Sequence, residues 1–164
     1  MPVTDITKDV DARTLTITAE FAAPVERVWK LYEDPRQLEQ VWGPPEFPAT
    51  FVDHELRVGG RTTYYMTSPE GEKFAGYWDI TGVEPTSQFT FKDGFANEDL
   101  SPNDTLPVSE NAYAFTSTDG GTKAVFTATY ASPEALQTVL DMGMEEGARS
   151  SINQIDGFLA ANPS

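Results

Sequence analysis

His54 is the only histidine in the chain, and it stands between Asp53 and Glu55. An imidazole beside a carboxylate suits a general base or proton shuttle, because the acid can fix the imidazole tautomer. In a strand, however, neighbours point to opposite faces, so Asp53 and Glu55 share one face and His54 has the other. That separation favours a structural, hydrogen-bonded histidine over a catalytic one. A metal centre needs three or four converging His, Asp or Glu ligands. One histidine and scattered carboxylates show no such spacing, and Asp141, Glu145 and Glu146 read as the solvated side of a helix. The absence of cysteine excludes disulfides, thiolate zinc sites and a cysteine nucleophile. Ser117, Ser150 and Ser151 have no histidine in a nucleophile arrangement, and neither a Gly-x-Ser-x-Gly elbow nor a phosphate loop occurs. Gly59-Gly60-Arg61 reads as a turn. No metal and no cofactor is expected.

Aromatic content is the stronger chemical signal, with 10 Phe, 6 Tyr and 3 Trp. Trp29, Trp42, Phe47, Tyr64, Phe74, Trp78, Tyr113, Phe115, Phe126 and Tyr130 are candidate walls of an apolar pocket, whose tyrosine hydroxyls and indole N–H groups would orient a ligand. Met144 and Gly147 join them from the C-terminal segment. Taken singly each reads as ordinary core; as a group they describe a lining that is hard to pack solid. Arg57 and Arg61 near a rim could hold an acidic head group, although pairing with surface carboxylates is the simpler role for both.

The element that must close such a pocket is the C-terminal segment. Ser132 as N-cap, Pro133 in the first turn and Glu134 at the positive end of the dipole open a helix. Leu136, Leu140, Met144, Ala148, Ile152, Ile155 and Leu159 recur at intervals of three or four, which predicts one long helix from Ser132 to Ala160 with a single apolar stripe. Gly143 and Gly147 also sit on that stripe, each costing roughly 1 kcal/mol against alanine in a helix interior, so close backbone approach or an enclosed space should compensate.

The rest of the chain predicts strands. Leu15, Ile17, Ala19 and Phe21 alternate with Thr14, Thr16, Thr18 and Glu20, a half-buried first strand. Val25, Val28, Trp29, Leu31 and Tyr32 then fall at helical spacing, and Pro35 opens a second short helix carrying Leu38, Val41 and Trp42. Six strands follow, at 50–56, 61–67, 73–83, 88–92, 111–118 and 122–131, with glycine turns at 59–60, 71 and 120–121. Ala124 and Ala128 leave space on the side the last helix should cover. Residues 93 to 110 lack apolar periodicity and read as a long acidic loop, mobile rather than a lid.

Length predicts a single domain over 1–164, with its core from about 12 to 160. The net charge of −15 opposes nucleic acid and anionic membranes as partners. A polar N-terminus and the lack of an apolar run near 20 residues argue against a secretory signal and a membrane span, so a cytoplasmic location is expected.

Several segments resemble a known family. Phe21-Ala22-Ala23-Pro24 with Val25, Val28 and Trp29, then Asp34-Pro35, Leu38 and Trp42-Gly43-Pro44, is similar to the N-terminal signature of the Activator of Hsp90 ATPase homologue 1-like family. Arg57-Val58-Gly59-Gly60-Arg61, the Met66 to Gly71 hairpin, Gly76 with Ile80, and Gly120-Gly121-Thr122 extend the likeness from about Ala12 to Leu159. The resemblance implies the helix-grip fold of the START-like (SRPBCC, Bet v1-like) superfamily. That is an α+β architecture in which a curved antiparallel sheet wraps a long C-terminal helix, with two short helices after the first strand. The family often has Gly-Trp where this chain has Gly147-Ala148, so a large aromatic is missing and the vacated space predicts cavity.

Three functions compete. A non-enzymatic module would hold a small hydrophobic molecule between sheet and final helix. A co-chaperone-like interaction domain, with Hsp90 as the partner the resemblance implies, would present an exposed apolar patch. A cyclase- or hydrolase-like enzyme would aim two or more polar groups such as His54, Asp79 or Arg57 into the same pocket. The order of preference is binding module, interaction domain, enzyme; monomer and homodimer both remain open.

Overall fold

A computed structural model describes residues 2–163, so Met1 and Ser164 of the expected 1–164 domain lie outside the described residues. The strands are β1 (Val3–Asp9), β2 (Thr14–Phe21), β3 (Ala49–Asp53), β4 (Arg61–Thr67), β5 (Lys73–Glu84), β6 (Gln88–Ala96), β7 (Ser109–Thr118) and β8 (Gly121–Tyr130). They form one antiparallel sheet in the order β1-β2-β8-β7-β6-β5-β4-β3. The helices α1 (Val25–Glu33) and α2 (Pro35–Leu38) follow β2, as the spacing predicts. The fold is the expected α+β helix grip, a curved sheet closed by C-terminal helical structure.

Alternation places the apolar faces correctly. Leu15, Ile17, Ala19 and Phe21 of β2 are buried, as are Ala124, Phe126 and Tyr130 of β8, which pairs with it. Helix α1 contributes Val28, Trp29, Leu31 and Tyr32 to the core. Asp34 ends α1 and caps α2, its side chain accepting from the Arg36 amide at 2.9 Å.

Three elements differ from the sequence reading. First, β1 lies in the segment taken as a polar tail. Its register shifts between Val3 and Asp5, so Val3 and Ile6 pack on the core three residues apart rather than in alternation. The ladder to β2 and the Lys8–Glu145 ion pair at 2.8 Å hold it in place.

Second, the expected single helix is three: α3 (Pro133–Asp141), α4 (Met144–Ile152) and α5 (Ile155–Ala161). Ser132 caps α3 as predicted, accepting from Ala135 at 3.1 Å. The first break is Gly143, whose φ of +86° is left-handed and incompatible with a continuing helix. The second is a tight turn at Asn153-Gln154, where the Gln154 side-chain amide donates to the Gly43 carbonyl at 2.7 Å. An apolar stripe with helical spacing survives such breaks because each segment resumes in phase, which is why periodicity alone does not show them.

Third, the loop after β6 is shorter than read. Residues 93–96 belong to β6, and the chain folds back through an Ala96–Pro102 bridge and an Asn103 N–H donated to the Phe95 carbonyl at 2.8 Å.

Two of the glycines outside cramped positions, Gly143 and Gly157, separate these geometries. At Gly143 a Cβ meets no neighbour but is strained by the positive φ, whereas Gly157 within α5 has open space and helical φ. Gly143→Ala should therefore destabilise the protein by about 1 kcal/mol, and Gly157→Ala should stabilise it by about 0.5–1 kcal/mol. Thermal or urea unfolding of the two variants reads the opposite signs; a single unbroken helix would make both stabilising.

Candidate functional site

A cavity of about 330 Å³ lies between the concave face of the sheet and the C-terminal helices. One wall is β2 and β8, with Leu15, Ile17, Phe126, Ala128 and Tyr130; the floor is β4, β6 and β7, with Tyr64, Met66, Asp93, Phe95, Ser109, Asn111 and Tyr113. Tyr32 of α1, Leu38 of α2 and the following Val41 and Trp42 close one end. The cover is Val139 of α3, the Met142-Gly143 turn, Met144, Gly147, Ala148, Ser151 and Ile152 of α4, and Ile155 of α5. Met142 is 55% exposed and marks the rim.

Of the twelve sequence candidates, Trp42, Tyr64, Tyr113, Phe126, Tyr130, Met144 and Gly147 lie on this lining. The other five do not. Trp29 and Phe115 are packed edge-to-face beneath α1, their rings 6.1 Å apart. Trp78 is fully buried, stacked on Phe91 at 4.4 Å. Phe47 and Phe74 meet each other at 6.1 Å near the β4–β5 hairpin, where Phe74 is half exposed. Ala124 is packed in the core instead of bordering space, while Ala128 does border it. Gly147 borders open space, since an added Cβ would come no nearer than 4.0 Å to Pro44. Ala148, where an aromatic was missing from the family pattern, faces the cavity.

None of the candidate acid–base groups lies on the lining. His54 bridges Tyr32 and Thr62: its Nε2–H donates to the Tyr32 carbonyl at 2.7 Å, and Nδ1 is 2.7 Å from the Thr62 hydroxyl, from which the neutral ring accepts. Burial holds its pKa below the ordinary value, partly opposed by the bond to Tyr32. Asp79 is tied to Arg61 at 2.7 Å and Arg57 to Glu55 at 2.5 Å, all exposed. Ser151 is occupied locally, donating to the Gly147 carbonyl at 2.9 Å.

The ionisable group that does enter is Asp93. It is the only acidic or basic side chain on the lining among the described residues. Its register partners are Trp78 of β5 and Ser109 of β7, and Phe89, Phe91 and Phe95 of its own strand share its inward face. Burial pushes its carboxyl up to about 7. The signal was available: the alternation Phe89, Phe91 runs on through Asp93 to Phe95, and ending the strand at Lys92 hid it. Around it the hydroxyls of Tyr64, Tyr113 and Tyr130 are kept protonated, chiefly by burial and further by the nearby Asp93 charge. The Tyr130 hydroxyl donates weakly to Met144 Sδ at 3.5 Å, and Asn111 Nδ2 donates to Ser109 Oγ at 2.9 Å.

Tyr64 lies across β5 because residue 76 is glycine; a Cβ there would fall 2.5 Å from the tyrosine oxygen. The indole rings of Trp42 and Trp78 flank it, yet neither Nε1–H has a hydrogen-bond partner of ordinary geometry among the described residues. No group of three His, Cys, Asp or Glu able to hold a metal ion occurs among the described residues. No described helix is long and apolar enough to cross a membrane.

A sheet wrapped around C-terminal helices with a cavity between them defines a helix-grip protein. The chain belongs to the Activator of Hsp90 ATPase homologue 1-like family: the family model, Activator of Hsp90 ATPase homolog 1-like protein, matches residues 22–160, from the end of β2 into α5. Protein Ms6760 from Mycobacterium smegmatis is 66% identical and superposes with a TM-score of 0.90, covering 96% of this chain and 97% of that one. A protein from Arthrobacter aurescens is 45% identical with a TM-score of 0.92, covering 97% and 92%. Protein NE0264 from Nitrosomonas europaea, 23% identical with a TM-score of 0.79 over 93% and 97%, shares the fold. No curated protein matches the chain. Family and fold together support a ligand-binding or co-chaperone-like domain.

Two variants separate the roles of the half-buried ionisable groups Asp93 and His54. Asp93 has a raised pKa in the folded protein, so between about pH 4 and pH 7 the native state holds a proton that the unfolded state has lost. Stability from this source is present at low pH and falls as pH rises towards 7. Asp93→Asn should raise the melting temperature at pH 8, by a free energy of at most about 4 kcal/mol at about 1.4 kcal/mol per pH unit, and the gain should vanish near pH 4. His54→Ala should lower stability by about 1–3 kcal/mol by stranding the Tyr32 carbonyl and the Thr62 hydroxyl, with uptake of apolar probes by the cavity unchanged.

Proposed function

We propose that this protein is a non-catalytic carrier or sensor that encloses a small hydrophobic molecule between its sheet and α3–α5. The observation that carries this reading is the cavity itself: about 330 Å³, walled mainly by aliphatic, aromatic and methionine side chains. That volume sits at the lower end of small-molecule sites, roughly 300–1,000 Å³. Polar side chains gather on the floor around Asp93, where they can fix orientation while apolar contact supplies affinity.

The enzymatic reading loses its named residues, since His54, Asp79 and Arg57 are engaged elsewhere. The co-chaperone reading rests on the family relationship. Exposed large apolar residues include Val52, Val58, Phe74 and Met142, on separate elements of the fold.

Titration with the uncharged fluorophore N-phenyl-1-naphthylamine tests the proposal. The wild-type protein should bind it with strong emission enhancement. Ala148→Phe, which places a ring in the cavity where the lining has a methyl group, should weaken binding about tenfold or more, equivalent to about 1.4 kcal/mol. Equal binding by both proteins would move the probe, and the proposal, out of this cavity. Native mass spectrometry of protein purified from its own host would then identify the retained molecule.

A further inference from the structure

Asp93 makes no hydrogen bond or ion pair with another side chain among the described residues, and it is the only acidic or basic side chain lining the cavity. We propose that Asp93 anchors a protonated amine, so that the cavity selects a small hydrophobic amine with its ammonium group among Asp93, Tyr64, Tyr113 and Tyr130. The inference rests on the reading of the cavity as a ligand site and names the chemical class of the ligand.

Three features converge. A carboxylate half-buried among apolar walls favours a counter-charge, and no lysine, arginine or histidine on the lining supplies one. The faces of the surrounding rings attract a cation, and each tyrosine oxygen can accept a hydrogen bond from an ammonium group. The net charge of −15 also raises the local concentration of cations over anions at the surface. An acidic ligand meets the Asp93 charge and the negative surface as repulsion.

The groups facing Asp93 are uncharged near neutral pH. Tyr64 comes from β4, Tyr113 from β7 and Tyr130 from β8, and burial raises the pKa of each. Tyr32 of α1, also on the lining, is raised by burial, and Tyr77 of β5, the neighbour of Trp78, lies on the opposite face of the sheet from Asp93. The lining residues of α3, α4 and α5 carry no charge. Titration of the cavity between pH 5 and pH 9 therefore belongs to Asp93. An ammonium ligand stays protonated over this range, so its affinity should increase as Asp93 ionises on passing upward through about pH 7. At pH 6 the bound amine favours the carboxylate, so binding should release a proton to the buffer.

Isothermal titration calorimetry with 4-phenylbutylamine, 4-phenylbutanol and 4-phenylbutyrate tests this, because the three differ only at one end. At pH 8 the amine should bind about tenfold or more tighter than the alcohol, and the carboxylate weaker than both. The amine-to-alcohol ratio should shrink towards one at pH 5.5. Asp93→Asn, with folding checked by thermal unfolding, should collapse the ratio at pH 8 to within about threefold. Proton release, read from wild-type titrations in buffers of different ionisation heat at pH 6, supports the proposal without any variant. Equal binding of amine and alcohol, or an amine preference that survives in Asp93→Asn, overturns the amine assignment and leaves the cavity reading intact. Preference for the alcohol or carboxylate that strengthens at low pH overturns it as well, because Asp93 then acts as a neutral donor. Failure of all three to bind overturns both readings.

Discussion

The curvature of the sheet sets a packing problem that two flanks of the concave face solve differently. Under α1, full-sized rings interlock: Trp29, Tyr32, Phe89 and Phe115 lie with centroids 5.5 to 6.3 Å apart. Under α4 the covering residues include Gly143, Gly147 and Ala148, too small to fill the space above the floor. Protein interiors are otherwise packed to the density of organic crystals, and a void forfeits the dispersion contacts of every atom that lines it. The cavity thus follows from residue size on one short helix, with the remainder of the sheet acting as a rigid wall. The Gly143 break has a part in this, since the turn at Met142-Gly143 sits at the rim and lets α3 and α4 follow the bend of the sheet.

Within that void the charge balance is set by one strand. Alternation in β6 commits Phe89, Phe91, Asp93 and Phe95 to the same face, so a carboxylate is carried inward by three phenylalanines. The β ladder to β5 and β7 fixes the register, and turning Asp93 outward would turn its neighbours outward with it. The protein accordingly bears the cost of desolvating a carboxylate that its own side chains do not neutralise, and the pKa near 7 expresses that cost. A group retained under those terms at the floor of a cavity is best explained by something that enters from outside.

Much of this arrangement was readable from sequence because it depends on period-two and period-3.6 patterns. The strand faces at Leu15–Phe21 and Ala124–Tyr130, the helices opened by Val25 and Pro35, and the Ser132 cap all follow from residue spacing. What escaped has a physical reason in each case. Strand β1 is held by main-chain pairing across an irregular register, so its side chains carry little alternation. A helical stripe does not record a left-handed glycine when the next segment resumes in phase. Among the aromatics, composition identifies which residues are large but not whether a neighbour fills the space beside them: Trp78 and Phe115 are enclosed by other rings, whereas Tyr113 and Phe126 have a ring on one side and cavity on the other. Asp93 was missed because acidic residues crowd the segment that follows, and composition outweighed alternation at the strand end.

Void and charge are thermodynamically coupled. A hydrophobic occupant alone would restore contacts to the walls but drive water from Asp93, making its ionisation still costlier and favouring the neutral acid. A cationic occupant restores the same contacts while stabilising the ionised carboxyl, so the two gains reinforce each other instead of competing. Two features that each weaken the empty protein, small residues on α4 and an acid on β6, become complementary for one class of ligand. Family membership does not supply this pairing, because the scaffold fixes only where a cavity can form; the residues at 93, 147 and 148 decide what it can hold.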